Sequence, residues 1–121
     1  MEQPFSLETK QFPHGLVLKL YGELTRSAEK ELIGDFAGSS DLGSSIRFLA
    51  LDISQVAYIN SGGMALLIRL ARMGRKAGAH TFAWGVTPHY EKLFRMVGLT
   101  EYLMLYPNEF AVLERIDALE L

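Results

Sequence analysis

"IRFLALDISQVAYINSGGMALLIRLARMGRKAG" occupies residues 46–78, and its hydrophobic period changes partway along. Ile46 to Ile53 is almost wholly apolar, as befits a central strand covered on both faces. From Met64 onward, Met64, Leu67, Ile68 and Ala71 recur at helical spacing and predict a helix from Met64 to Ala77. Gly78 is placed to end that helix in the left-handed conformation. Between them, Ser54 to Asn60 leads to a polar, glycine-bearing elbow, Asn60-Ser61-Gly62-Gly63. A buried strand that turns directly into an amphipathic helix is the building unit of an α/β sheet.

The flanking segments extend the same pattern. Upstream, Phe5 to Phe12 reads as a weak first strand and Pro13-His14-Gly15 as a turn. Leu16 to Tyr21 alternates, with Leu16, Leu18 and Leu20 on one face and Lys19 on the other, so the two runs form a hairpin. Thr25 is a good N-cap for a helix carrying Ala28, Leu32, Ile33 and Phe36, and Gly38 to Ser45 reads as a Gly/Ser-rich loop. Downstream, Thr81 to Val86 reads as a strand with Phe82, Trp84 and Val86 on one side. Thr87 caps a helix with Pro88 at its first position, stopped by Gly98. A short strand, Leu103 to Tyr106, turns at Pro107-Asn108 into a last helix from Glu109 to about Leu119. The order β-β-α-β-α-β-α-β-α predicts a mixed sheet of about five strands with about four helices packed on it. Phe82 and Trp84 read as core, and Met64, Met73 and Met96 as gap-filling core residues.

The totals narrow the function. A chain of 121 residues suits one domain, taken as 1–121 with a core of about 5–117. A formal net charge of −2 argues against general nucleic-acid binding. With no Cys, thiol chemistry, disulfides and cysteine metal sites are excluded. His14, His80 and His89 lack metal-ligand spacing, so neither metal nor cofactor is expected. The first residues lack the basic start and apolar core of a signal peptide, and no apolar run is long enough for a membrane span. The expected setting is cytoplasmic.

Chemistry concentrates at the elbow. Ser61 or Asn60 can cap the following helix. Gly62 and Gly63 leave room beside the Ser61 hydroxyl for another protein. "INSGG" is not the G-x-S-x-G nucleophile elbow, because Ile59 stands where its first glycine belongs. Gly62-Gly63 before a helix offers N–H groups for phosphate, but there is no Walker sequence, so nucleotide binding is only an alternative. Arg69, Arg72 and Lys76 fall on one side of the helix, either as a solvated stripe or as a docking face for an acidic partner.

Four stretches together resemble a known family, the STAS domains of anti-sigma factor antagonists and of sulfate transporters. "YGELT" (21–25) resembles the family's G-E-L-D approach to its first helix, and "FLALDISQVAYINSGGMALLI" (48–68) its strand, D-S-S-G-L turn and helix. "VTPHYEKLFRMVGLTEYL" (86–103) resembles its S-P-x-V-x-x-x-L-x-x-x-G-L helix, and "YPNEFAVLERI" (106–116) its closing strand-to-helix step. The resemblance implies a non-enzymatic STAS fold that works by protein contact. In stand-alone antagonists, the serine after Asp in D-S-S-G is phosphorylated by an anti-sigma factor that is itself a serine kinase, and a phosphatase resets it. That serine corresponds to Ser61. Asn60 replaces the Asp and Gly62 the second Ser. The expected contact set is Asn60, Ser61, Gly62, Gly63 and Met64 at the elbow, with Arg72 added from the basic stripe that adjoins it. The alternative within the resemblance is a non-phosphorylated adaptor in a larger complex, such as a transport ATPase or a stress sensor.

Overall fold

A computed structural model describes residues 3–34 and 46–120. Its five strands are β1 (Ser6–Phe12), β2 (Gly15–Leu24), β3 (Phe48–Ile59), β4 (His80–Trp84) and β5 (Met104–Tyr106). They lie side by side in chain order in one mixed sheet. The β1–β2 hairpin is antiparallel and every later pairing is parallel. Three α-helices follow β3, β4 and β5: α1 (Ser61–Lys76) and α2 (Pro88–Met96) form crossovers, and α3 (Glu109–Glu120) comes after the last strand. The crossover after β2 begins as a 3₁₀ turn (Arg26–Ala28) followed by a single π turn (Lys30–Gly34). Thr25 does cap it, its hydroxyl accepting from Ser27 N–H at 3.3 Å. Phe36, the Gly38–Ser45 loop and Leu121 lie outside the described residues.

The apolar run of β3 has the two-sided cover its composition demands. Leu49, Leu51 and Ile53 face α1, together with Leu16, Leu18 and Leu20 of β2 and Leu66, Leu67 and Leu70 of the helix. Phe48 and Ala50 face the opposite way, toward Val112 and Ile116 of α3, beside Val17, Phe82 and Trp84. At about 25 cal/mol per Å² of apolar surface removed from water, these two clusters are the main source of stability. Phe82 and Trp84 are core, as expected, but Val86 lies past the end of β4 and packs with the α1-side cluster.

Local chemistry accounts for the turns. Pro13 and His14 form the two-residue hairpin loop, and His14 takes the left-handed backbone (φ 64°). Gly15 pairs opposite Phe12, and its missing side chain leaves the Phe12 ring a seat. Gly78 has φ 84° and ends α1 as expected. Thr87 caps α2 with Pro88 at its start, and Asn108 caps α3 by accepting from Ala111 N–H at 2.9 Å.

Three expectations are corrected. The central strand does not stop at Ile53: Ser54 to Ile59 continue it as the end of a 12-residue strand. This end is exposed over most of its length, and the polar pair Ser54-Gln55 interrupts the apolar run before Val56 to Ile59 resume it. Helix α1 starts at Ser61, one turn before Met64, since its first turn is polar and glycine. Met96 is not core: it is 70% exposed at the end of α2, where Phe94 is the buried residue.

Candidate functional site

The elbow is built where the ends of β2 and β3 meet. Two register shifts in the β2–β3 ladder, between Lys19 and Tyr21 and between Gly22 and Glu23, bring Leu24 opposite Ile59. Such irregularities increase local twist and re-aim a strand end. The Leu24 carbonyl accepts from Asn60 N–H at 3.3 Å. From the other side, the Tyr90 hydroxyl of α2 accepts from Ile59 N–H at 3.0 Å. The last strand residue before the elbow is thus clamped between a neighbouring strand and a following helix.

The helix begins on that clamp. Asn60 has extended backbone (φ −101°, ψ −175°), and its side-chain oxygen accepts from Gly63 N–H at 2.9 Å. Its carbonyl accepts the first helical bond, from Met64 N–H at 2.8 Å. Asn60 is therefore the N-cap, and the exposed Ser61 beside it is relieved of that task. Replacing Asn60 with Ala should cost about 1 kcal/mol, read as a lower unfolding midpoint in urea. Asn60→Asp should be at least as stable as the native chain at neutral pH, because a carboxylate favours a helix N-terminus by about 0.3–1 kcal/mol.

The two glycines have different duties. Gly63 is buried and faces the strand end: a Cβ there would overlap the Leu24 carbonyl, with the carbonyl carbon at 2.6 Å. Gly62 faces the 3₁₀ turn, where a Cβ would lie 3.1 Å from both Cβ and backbone N of Arg26. The glycines thus let two neighbouring backbones approach, in addition to leaving space near Ser61.

The remaining expected contact residues are spread along α1. Met64 is buried but lines a shallow groove of about 330 Å³ between α1 and α2, with Ser61, Ala65, Ile68, Leu93 and Val97. Arg72 is exposed on the same helical face as Ser61. It lies three turns on, about 16 Å along the axis, so the structure does not bring it to the elbow itself. Arg69 pairs with Glu29 at 2.7 Å, tying α1 to the crossover after β2. That guanidinium holds the Glu29 carboxyl below its usual range. The pair is about half exposed on both sides, so its effect on stability is small. The groove and the Tyr90 clamp were not anticipated; the only sequence signal for them was a tyrosine in the first turn of the Pro88 helix.

Among the described residues no cluster of His, Asp or Glu is arranged to hold a metal, and no helix is long and apolar enough to cross a membrane. The fold is that of several known proteins. The Bacillus anti-sigma factor antagonist SpoIIAA in its unphosphorylated form superposes with a TM-score of 0.74 at 20% identity, over 95% of this chain and 97% of that one. A variant of RsbS from Moorella thermoacetica superposes at 0.72 and 19%, covering 94% and 97%. The murine anion transporter Slc26a9 contains a similar domain (0.75, 17%, 90% of this chain), which forms only 18% of its own length. The family model described as "Mlab, STAS domain" matches residues 8–107, spanning β2 through β5 and the whole elbow. The chain therefore belongs to the STAS domain family.

Proposed function

We propose that this STAS domain is a phosphorylation-controlled binding module, an anti-sigma factor antagonist in type. Its partner is a kinase-type anti-sigma factor or a related switch kinase, which phosphorylates Ser61 and thereby releases it; a phosphatase restores binding. One observation carries this reading: Ser61 is exposed at the start of α1 while Asn60 does the capping. Its hydroxyl is accessible to a visiting enzyme, and modifying it breaks no bond that holds the helix. The likeness to SpoIIAA and RsbS supports the reading at the level of fold. The domain itself acts by contact and not by catalysis.

The docking face is α1 and its groove. Arg69, Arg72, Arg75 and Lys76 lie on this helix with no acidic residue among them, in a chain of net charge −2. An acidic partner surface is drawn to such a face. Arg72→Glu should slow association several-fold at low salt, with little change in dissociation, as measured by surface plasmon resonance with the purified partner. The decisive experiment is co-purification from the native cell followed by phosphopeptide mapping. Phosphate on Ser61 that is absent from the partner-bound fraction supports the proposal; a bound fraction carrying phosphate on Ser61 refutes it.

A second reading has its own support. The domain in Slc26a9 is part of a much longer chain. By that analogy this chain would be a constitutive adaptor in a larger assembly, with Ser61 as a contact residue. Mapping would then find the partner complex intact and Ser61 unmodified in every fraction.

A further inference from the structure

Resting on the reading that Ser61 is phosphorylated, we infer that Arg26 is the intramolecular counter-ion of the phosphorylated side chain. Arg26 opens the 3₁₀ turn after β2 and is exposed. The absent side chain of Gly62 lets that turn close on α1: a Cβ built at Gly62 would stand 3.1 Å from Arg26 Cβ. Ser61 is the adjacent residue, its Cα about 3.8 Å from that of Gly62. An extended arginine reaches about 6 Å beyond its Cβ, so a guanidinium is within reach of a phosphate carried on the residue next to Gly62.

The local charges favour the pair. Among the described residues three charged side chains act on one another here: Arg69 and, more weakly, Arg26 both lower the Glu29 carboxyl. Glu29 is already engaged by Arg69 at 2.7 Å. Among the described residues Arg26 has no carboxylate within ion-pair distance, and of these three groups the cations outnumber the anion by one. A phosphate supplies the missing anion with three acceptor oxygens. The departure of Gly62 from the family's second serine gains a physical reason, because a side chain there would stand between Arg26 and its target. Pairing pins the Arg26–Ala28 turn to α1 and withdraws Arg26 from the surface offered to a partner. Phosphorylation thus changes the shape of the docking corner as well as its charge.

The test installs phosphoserine at position 61 by codon-directed incorporation, so it requires no kinase. The phosphate is titrated by ³¹P NMR in the native background and in Arg26→Gln, Arg26→Lys and Arg72→Gln. Its second pKa, ordinarily about 6, is expected to rise by about half a unit on Arg26→Gln, the loss of a partly exposed opposite charge. Arg26→Lys should restore most of the shift, and Arg72→Gln, about 16 Å along the helix, should leave the titration unchanged. An identical titration in native and Arg26→Gln proteins overturns the inference, as does an equal rise with Arg72→Gln. Cells in which Ser61 never carries phosphate would refute the proposed function while leaving this result intact.

Discussion

Gly63→Ala is expected to lower the unfolding midpoint by about 10 °C. The added Cβ falls on the backbone carbonyl of Leu24, with the carbonyl carbon at 2.6 Å and Leu24 Cγ at 3.1 Å. A flexible side chain could move aside, but this carbonyl cannot. It accepts from Asn60 N–H, and Leu24 is paired opposite Ile59 in the β2–β3 ladder. Relief requires sliding α1 off the strand end or losing that bond. Overpacking of this kind costs about 3 kcal/mol and a lost hydrogen bond about 1. Alanine returns about 1 kcal/mol in helix propensity. The net of about 3 kcal/mol corresponds to roughly 10 °C for a domain of this size. Gly62→Ala is the control. Its Cβ would meet Arg26 at 3.1 Å, a tight contact on an exposed turn, and the same propensity gain offsets much of the cost. Calorimetry of both variants should show a large drop for the first and a change within about 3 °C for the second. A Gly63→Ala protein as stable as the native chain would mean that the helix start is not seated on the end of β2.

The contrast between the two glycines marks the limit of what the sequence discloses. Period and caps identify the architecture: a two-sided apolar run predicts a central strand, and Thr87-Pro88, Gly78 and Asn108 punctuate helices by mechanisms that act within a few residues. The first crossover follows the same logic at Thr25. Contacts between segments distant in the chain leave no such local trace. The seat of Gly63 on Leu24 joins residues far apart in the chain. The Tyr90 hydroxyl reaches Ile59 N–H across 31 positions, and no periodicity encodes it. The extension of β3 past Ile53 is hidden for a related reason. Its residues pair with β2, but the polar pair Ser54-Gln55 breaks the apolar run before Val56 to Ile59, so this end does not read as continuous with the core strand. Met96 errs the other way: it is apolar at a helix end, where α2 has already turned its buried face, through Phe94, to the core. The elbow was recognisable because its chemistry is local. Which of its residues caps, which packs and which is free was settled only by the neighbouring strand and turn.

Ser61→Asp should weaken partner binding by roughly 100-fold while leaving the unfolding midpoint within about 2 °C of native. The two halves of this expectation have separate causes. Stability is spared because Ser61 is exposed in the first turn of α1 and Asn60 makes the capping bond. A carboxylate at that position meets the positive end of the helix dipole, a favourable contact of about 0.3–1 kcal/mol that offsets the loss of a small side chain. Binding suffers because the same corner borders the α1–α2 groove, where Ala65, Ile68, Leu93 and Val97 offer apolar surface to a partner. Docking there would strip water from the new charge. A charge stripped of water in such a contact, left without a partner on the docking protein, opposes association by about 3 kcal/mol, which is about two decades in Kd. Titration calorimetry with the purified partner, set beside a thermal melt of each variant, separates the terms. Ser61→Ala completes the set: it should bind as the native protein does and resist phosphorylation, since neither the cap nor the groove depends on the hydroxyl. An aspartate variant that melts far below native would place the residue in the fold's support and not on its docking face. One that binds with native affinity would mean that the partner does not cover this corner at all.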